Sequence, residues 1–188
     1  MNKIKIYVGN RAAGKTTFLY NLFEKARSSG LKILVIDSAT DHVDKSLICR
    51  IKATYPEECY WFSSCDENQI TFPYVDSATY PVELVKQNPS SIYLADVSYY
   101  LEKGYDYPEG ERRKYLRLLY KKLSMQIIQV LYEHIDIILM DEIELISESR
   151  EVFKLCADSN IPIYDTLHEK ASTEGLEDMV TIRSIEYV

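Results

Sequence analysis

Short apolar runs recur along this chain, separated by stretches with helical spacing. Near the N-terminus Ile4, Ile6 and Val8 alternate with Lys5 and Tyr7, the pattern of a half-buried strand, and the run stops at Gly9. Phe18, Leu19, Leu22, Phe23 and Ala26 then recur at helical intervals, which predicts a helix that ends around Ser28, Ser29 and Gly30. Ile33-Leu34-Val35-Ile36 follows, a continuous apolar run of the kind that lies buried on both faces of a sheet. Read to the C-terminus in the same way, the pattern predicts strands over 3–9, 32–37, 58–62, 92–97, 135–141, 161–167 and 180–187. Helices are predicted over 14–29, 42–53, 81–87, 109–133 and 147–158. Alternation of this kind implies an α/β fold, a mainly parallel sheet with helices on both faces.

The pattern is weakest over 54–108, which holds five of the six prolines and many of the 16 tyrosines. That segment reads as a lid, or as an insert that meets a substrate or partner, within one domain spanning 1–188. Tyr93, Tyr99, Tyr100, Tyr105 and Tyr107 lie close together there, but Asp96, Glu102 and Asp106 lie among them. A groove that stacks single-stranded bases needs positive charge beside its rings. The net charge of −7 points the same way, against nucleic acid as a partner.

A chain of 188 residues can bury a core without a metal or disulfide staple. Its four cysteines, Cys49, Cys59, Cys65 and Cys156, lack zinc-site spacing and read as free thiols in a reducing compartment. The first residues form a strand instead of a basic-then-apolar leader, and no apolar run approaches the roughly 18 residues that would span a membrane. A cytoplasmic location is expected.

One motif changes the picture. Gly9-Asn10-Arg11-Ala12-Ala13-Gly14-Lys15-Thr16 is a complete G-x-x-x-x-G-K-[ST] sequence between a predicted strand and a predicted helix. Glycines at 9 and 14 let the backbone curl so that successive amides from Ala12 to Thr17 can face phosphate oxygens, and the helix adds the positive end of its dipole. Lys15 is placed for the β- and γ-phosphates and the Thr16 hydroxyl for Mg²⁺. The expected ligand is ATP or another nucleoside triphosphate, with Mg²⁺ as cofactor.

Three apolar runs end in an aspartate: Asp37, Asp96 and Asp141. Ligands of an open α/β sheet lie at the carboxyl ends of its strands, so all three compete for the metal-associated role. Asp141 is preferred, because Ile137-Ile138-Leu139-Met140-Asp141 is followed by Glu142, the apolar-run-plus-Asp-Glu pattern called Walker B. Asp141 is expected to hold Mg²⁺ and Glu142 to polarise the attacking water. Asp37 and Asp96 read first as caps of the turns after their strands.

These features resemble those of the small nucleoside-triphosphatases of the thermostable type, a family of phosphate-loop NTPases. The likeness rests on the loop through Thr17, on Asp141-Glu142-Ile143, on the helical stretch from Glu151 to Ala157, and on the strand that ends Thr166-Leu167-His168. The resemblance implies Mg²⁺-dependent hydrolysis of a nucleoside triphosphate. In phosphate-loop ATPases with a catalytic glutamate, the strand beside Walker B presents a polar residue that senses the γ-phosphate, and Thr166 and His168 are the candidates.

The predicted helix over 109–133 buries Leu116, Leu119, Leu123, Ile127, Val130 and Leu131 along one face. Its first turns carry Arg112, Arg113 and Arg117, which read either as a solvated charged face or as an arginine finger, in cis or from a neighbouring subunit. Arg11 is a further cis candidate. Two other functions fit the loop. One is a kinase that moves the γ-phosphate to a small molecule or nucleotide, with Asp37 as its base. The other is a nucleotide-dependent switch acting on a protein partner, and a homo-oligomer is compatible with either.

Overall fold

The computed structural model describes residues 4–10, 12–37, 46–61, 90–96, 124–125, 127–129, 131–143, 150–168 and 175–185. Its elements in chain order are β1 (Ile4–Val8), α1 (Lys15–Ser28), β2 (Ile33–Asp37), α2 (Leu47–Thr54), β3 (Cys59–Trp61) and β4 (Ile92–Asp96). Helical residues within 124–131 and a 3-10 turn at Tyr132–His134 follow, then β5 (Ile137–Asp141), α3 (Arg150–Asp158), β6 (Ile163–Leu167) and β7 (Val180–Ser184). Among the described residues the strands form one seven-stranded sheet in the order β3-β4-β2-β5-β6-β1-β7, and every pairing in it is parallel.

The fold is therefore α/β, as the alternating pattern predicts, and strand period explains how both faces are covered. On one face Ile33, Val35, Ile92, Leu94, Ile137 and Leu139 meet Leu19, Phe23 and Ala26 of α1 and Leu47, Ile48 and Ile51 of α2. On the other, Ile4, Ile6, Leu34, Ile36, Ile138, Met140 and Ile163 pack with Ile127, Ile128 and Leu131 and with Val152, Phe153 and Cys156 of α3. Both faces of β2 and β5 are thus dry, which is why these strands read as unbroken apolar runs.

Local chemistry sets the helix ends. Gly14 precedes α1 in the left-handed region at φ 83°. At the other end Gly30 takes φ 71° while Gly30 and Leu31 donate back to Arg27 and Ala26, the two bonds of a Schellman stop. Ser46 caps α2 by accepting from the Cys49 amide at 3.1 Å. The predicted 109–133 helix ends in the 3-10 turn, after which Ile135 is extended. The predicted helix over 81–87 and the start of the long helix lie outside the described residues, as does most of the 54–108 segment. Cys49, Cys59 and Cys156 are free thiols, and Cys65 lies outside the described residues. Among the described residues no helix is long and apolar enough to cross a membrane.

The register does more for function than the packing does. Asp37 is paired with Asp96 on one side and Asp141 on the other, Asp141 is paired with Thr166, and Thr166 with Tyr7. Four strand ends stand level beside the residue that leads into the glycine-rich loop. β6 lies between the strand that feeds this loop and the strand that carries Asp141.

Candidate functional site

The loop after β1 is shaped by two left-handed residues, Ala12 at φ 66° and Gly14 at φ 83°. Left-handed positions break the regular direction of the backbone and let neighbouring amides point into one hollow. Gly9 is required for a different reason: a Cβ there would come within 2.9 Å of the Ala13 Cβ. The amides at the start of α1 have no side-chain cap, so the positive end of the helix faces the loop.

Lys15 is buried, and its ammonium donates to the carbonyl oxygens of Gly9 at 3.0 Å and Asn10 at 3.1 Å. The same nitrogen lies 3.4 Å from Glu142 Oε1. The Thr16 hydroxyl donates to Asp141 Oδ2 at 2.8 Å, and the Thr166 hydroxyl donates to Asp141 Oδ1 at 2.5 Å. Asp141 is therefore gripped by two hydroxyls from opposite sides, one from the start of α1 and one from β6. Burial pushes its carboxyl pKa up; the two hydroxyls oppose that rise, as does the Lys15 charge, while the Glu142 charge adds to it.

Glu142 leaves the strand abruptly. Its amide donates to the Thr166 carbonyl at 2.9 Å, extending the β5–β6 ladder by one residue, and then its backbone turns left-handed at φ 59°. That conformation is uncommon for a residue with a Cβ. The turn leaves the Glu142 side chain 61% exposed beside Lys15, while Ile143 goes back into the core. Lys15 and Glu142, neighbours only in space, thus face each other across the mouth of the loop.

The other candidates are placed as follows. Asn10, Ala12, Ala13 and Thr17 lie in or next to the loop; Arg11 lies outside the described residues. Of the two sensor candidates Thr166 reaches Asp141, whereas His168 is exposed just past β6. Arg112, Arg113 and Arg117 lie outside the described residues. Asp37 is buried, and one of its oxygens accepts from the Ile48 amide at 3.4 Å near the start of α2. That contact is with the first turn of α2; residues 38–45, which directly follow β2, lie outside the described residues. Among the described residues no group of three or more His, Cys, Asp or Glu side chains is gathered for a metal ion.

Sequence reasoning overlooked Asp165. It lies on the strand face of Ile163 and Leu167, between register partners Ile6 and Met140, and is fully buried. The signal was present as one carboxylate at an inward position of an apolar strand.

No protein-family model matches the chain, and no curated protein sequence does. Among solved structures the chain is similar to the genome packaging NTPase B204 from Sulfolobus turreted icosahedral virus 2, determined in complex with ATP-gammaS. The TM-score is 0.43 with 9% identity, over 90% of this chain and 66% of that one.

Proposed function

We propose that the protein binds a nucleoside triphosphate, ATP first among them, together with Mg²⁺, and hydrolyses it to the diphosphate and phosphate. The observation that carries this reading is the convergence of Lys15, Thr16, Asp141, Thr166 and Glu142 at the carboxyl ends of β1, β5 and β6.

The loop amides and the uncapped start of α1 cradle the phosphates. Lys15 exchanges its contacts with the Gly9 and Asn10 carbonyls for β- and γ-phosphate oxygens, a change to charge-assisted bonds. Thr16 and Asp141 together supply the hard oxygen atoms that suit Mg²⁺, an ion that keeps several waters and takes only one or two protein ligands beside substrate phosphates. Bound there, Mg²⁺ would neutralise charge on the phosphates. Thr166 holds Asp141 from the far side. Glu142 accepts a proton from water as the water oxygen bonds to the γ-phosphorus; the bond to the bridging oxygen breaks and its electron pair leaves with the diphosphate.

Lys15→Ala tests the reading. It is expected to reduce triphosphate binding and to lower phosphate release by at least about 100-fold, with the circular dichroism spectrum unchanged. A folded Lys15→Ala protein that releases phosphate at the parent rate would remove the proposal. Parent protein that binds a triphosphate tightly but releases phosphate only when a partner is added would favour the switch reading over an autonomous enzyme.

A further inference from the structure

Asp165 is the one buried side chain among the described residues with polar atoms that have no hydrogen-bond partner: both of its carboxyl oxygens lack one. An unpaired buried polar group destabilises a fold, so its presence calls for an explanation beyond packing. A valine or isoleucine would fit the pattern of Ile163 and Leu167 on the same face of β6.

Its place in the sheet supplies one. Asp165 sits one residue before Thr166, whose hydroxyl grips Asp141 and whose carbonyl receives the Glu142 amide. The side chain points to the opposite face from Thr166, the face into which Ile143 returns after the left-handed turn at Glu142. The backbone amides of Thr166 and Ile143 favour its charged form. Burial nevertheless dominates and, with the nearby Asp141 charge, pushes the Asp165 carboxyl well above the ordinary range. A neutral carboxyl beneath the turn places a polar group on the Ile143 side of the sheet without adding negative charge behind Asp141 and Glu142.

We propose that Asp165 is a positioning residue: from the far face of the sheet it fixes the left-handed turn that aims Glu142 across the mouth of the loop at Lys15. The proposal rests on the reading of Glu142 as the group that orients water. It assigns Asp165 no contact with nucleotide or metal.

The test is a double-mutant cycle between Asp165→Val and Glu142→Gln, with Asp165→Asn as the conservative variant, on the full chain with ATP and Mg²⁺. Asp165→Val is expected to lower kcat about 10-fold with KM within about 2-fold of parent, the signature of a misaimed catalytic group. Asp165→Asn keeps an acceptor oxygen and is expected to restore most of kcat. In the Glu142→Gln background, Asp165→Val is expected to add little further loss. Amide exchange at Ile143 is expected to accelerate in Asp165→Val and to stay near parent in Asp165→Asn. Parent-like kcat in folded Asp165→Val, or fully additive losses, would overturn the proposal and leave the hydrolase reading intact. If Asp165→Val does not fold, Asp165→Asn decides alone: a kcat loss as large as that of Glu142→Gln overturns it. A parent protein that hydrolyses no triphosphate removes the underlying reading, and this proposal with it.

Discussion

The Thr16 hydroxyl donates to Asp141 Oδ2 at 2.8 Å, joining positions 125 residues apart in the chain. The contact couples the first turn of α1 to the end of β5, and it brings together the two oxygens proposed to serve Mg²⁺. Thr16→Ala removes one donor to Asp141 and one oxygen at the proposed ion site. Its expected signature is a raised Mg²⁺ requirement: half-maximal phosphate release at a concentration at least about 10-fold above parent, with triphosphate binding less affected in the absence of metal. A Mg²⁺ titration of the two proteins checks this, and superimposable curves would remove Thr16 from the proposed site.

Gly9→Ala asks whether the loop tolerates a side chain where it leaves β1. The added Cβ would lie 2.9 Å from the Ala13 Cβ, closer than such atoms pack, and 3.6 Å from the Ile185 Cβ. The loop has to move, and overpacking of this kind destabilises by about 1–3 kcal/mol. Triphosphate affinity is expected to fall together with Tm, as read by calorimetry and thermal melting. Affinity retained at parent level would mean that the amides of the loop are not the binding groups.

Much of this architecture is legible in the chain, and the parts that are not share a cause. Apolar runs such as Ile33–Asp37 and Ile137–Asp141 mark buried strands because both faces of a central parallel strand are covered by helices. The same property makes those runs interchangeable to a reader of sequence. Nothing local says that β6 separates β1 from β5, because strand order is settled by crossovers and packing between distant segments. The loop is legible in full, since its glycines and Lys15 fall within one short unbroken stretch of sequence. The facing pair of Lys15 and Glu142 is not, because it depends on the left-handed turn at Glu142, a residue type that gives no hint of that conformation. Asp165 was readable as an anomaly only after the parity of β6 was known.

The pH dependence of stability isolates Asp165. Its folded pKa is raised, so between the ordinary carboxyl value of 3.8 and that raised value the folded state holds a proton that the unfolded chain has lost. Stability therefore falls as pH rises through this window, with a slope of up to about 1.4 kcal/mol per pH unit. Asp178 and Glu58, held below the usual range by Arg150 and Arg27, act in the opposite sense: their contribution is present above the ordinary carboxyl value and is lost as pH falls through their folded values. Chemical denaturation of parent and Asp165→Asn across pH separates the two. The stability of the parent relative to Asp165→Asn is expected to fall as pH rises inside the window, and a pH-independent difference would contradict the buried neutral carboxyl.

Ser46 tests the local support of the neighbouring strand end. It accepts from the Cys49 amide at the start of α2, whose Ile48 amide in turn donates to Asp37. Ser46→Ala is expected to cost about 1 kcal/mol and to lower Tm by about 2–4 °C. If Asp37 is a structural cap, kcat stays at the parent value while Tm moves.

Asp37 and Glu142 together distinguish hydrolysis from transfer to another acceptor. Attack by water needs a proton acceptor beside the γ-phosphate, and Glu142 is exposed and 3.4 Å from the Lys15 ammonium that is proposed to bind that phosphate. Transfer to a hydroxyl needs a base open to an acceptor pocket. Asp37, level with Asp141 in the sheet, is 2% exposed and has one oxygen engaged by the Ile48 amide, a poor position from which to meet an incoming substrate. The single variants should therefore diverge. Glu142→Gln is expected to bind ATP with near-parent affinity and to release phosphate at least about 100-fold more slowly, in keeping with the loss of a general base. Asp37→Asn keeps an acceptor for Ile48 and is expected to retain most phosphate release. The reverse result, a crippled Asp37→Asn together with a nucleoside or sugar phosphorylated by the parent protein, would replace the hydrolase with a kinase.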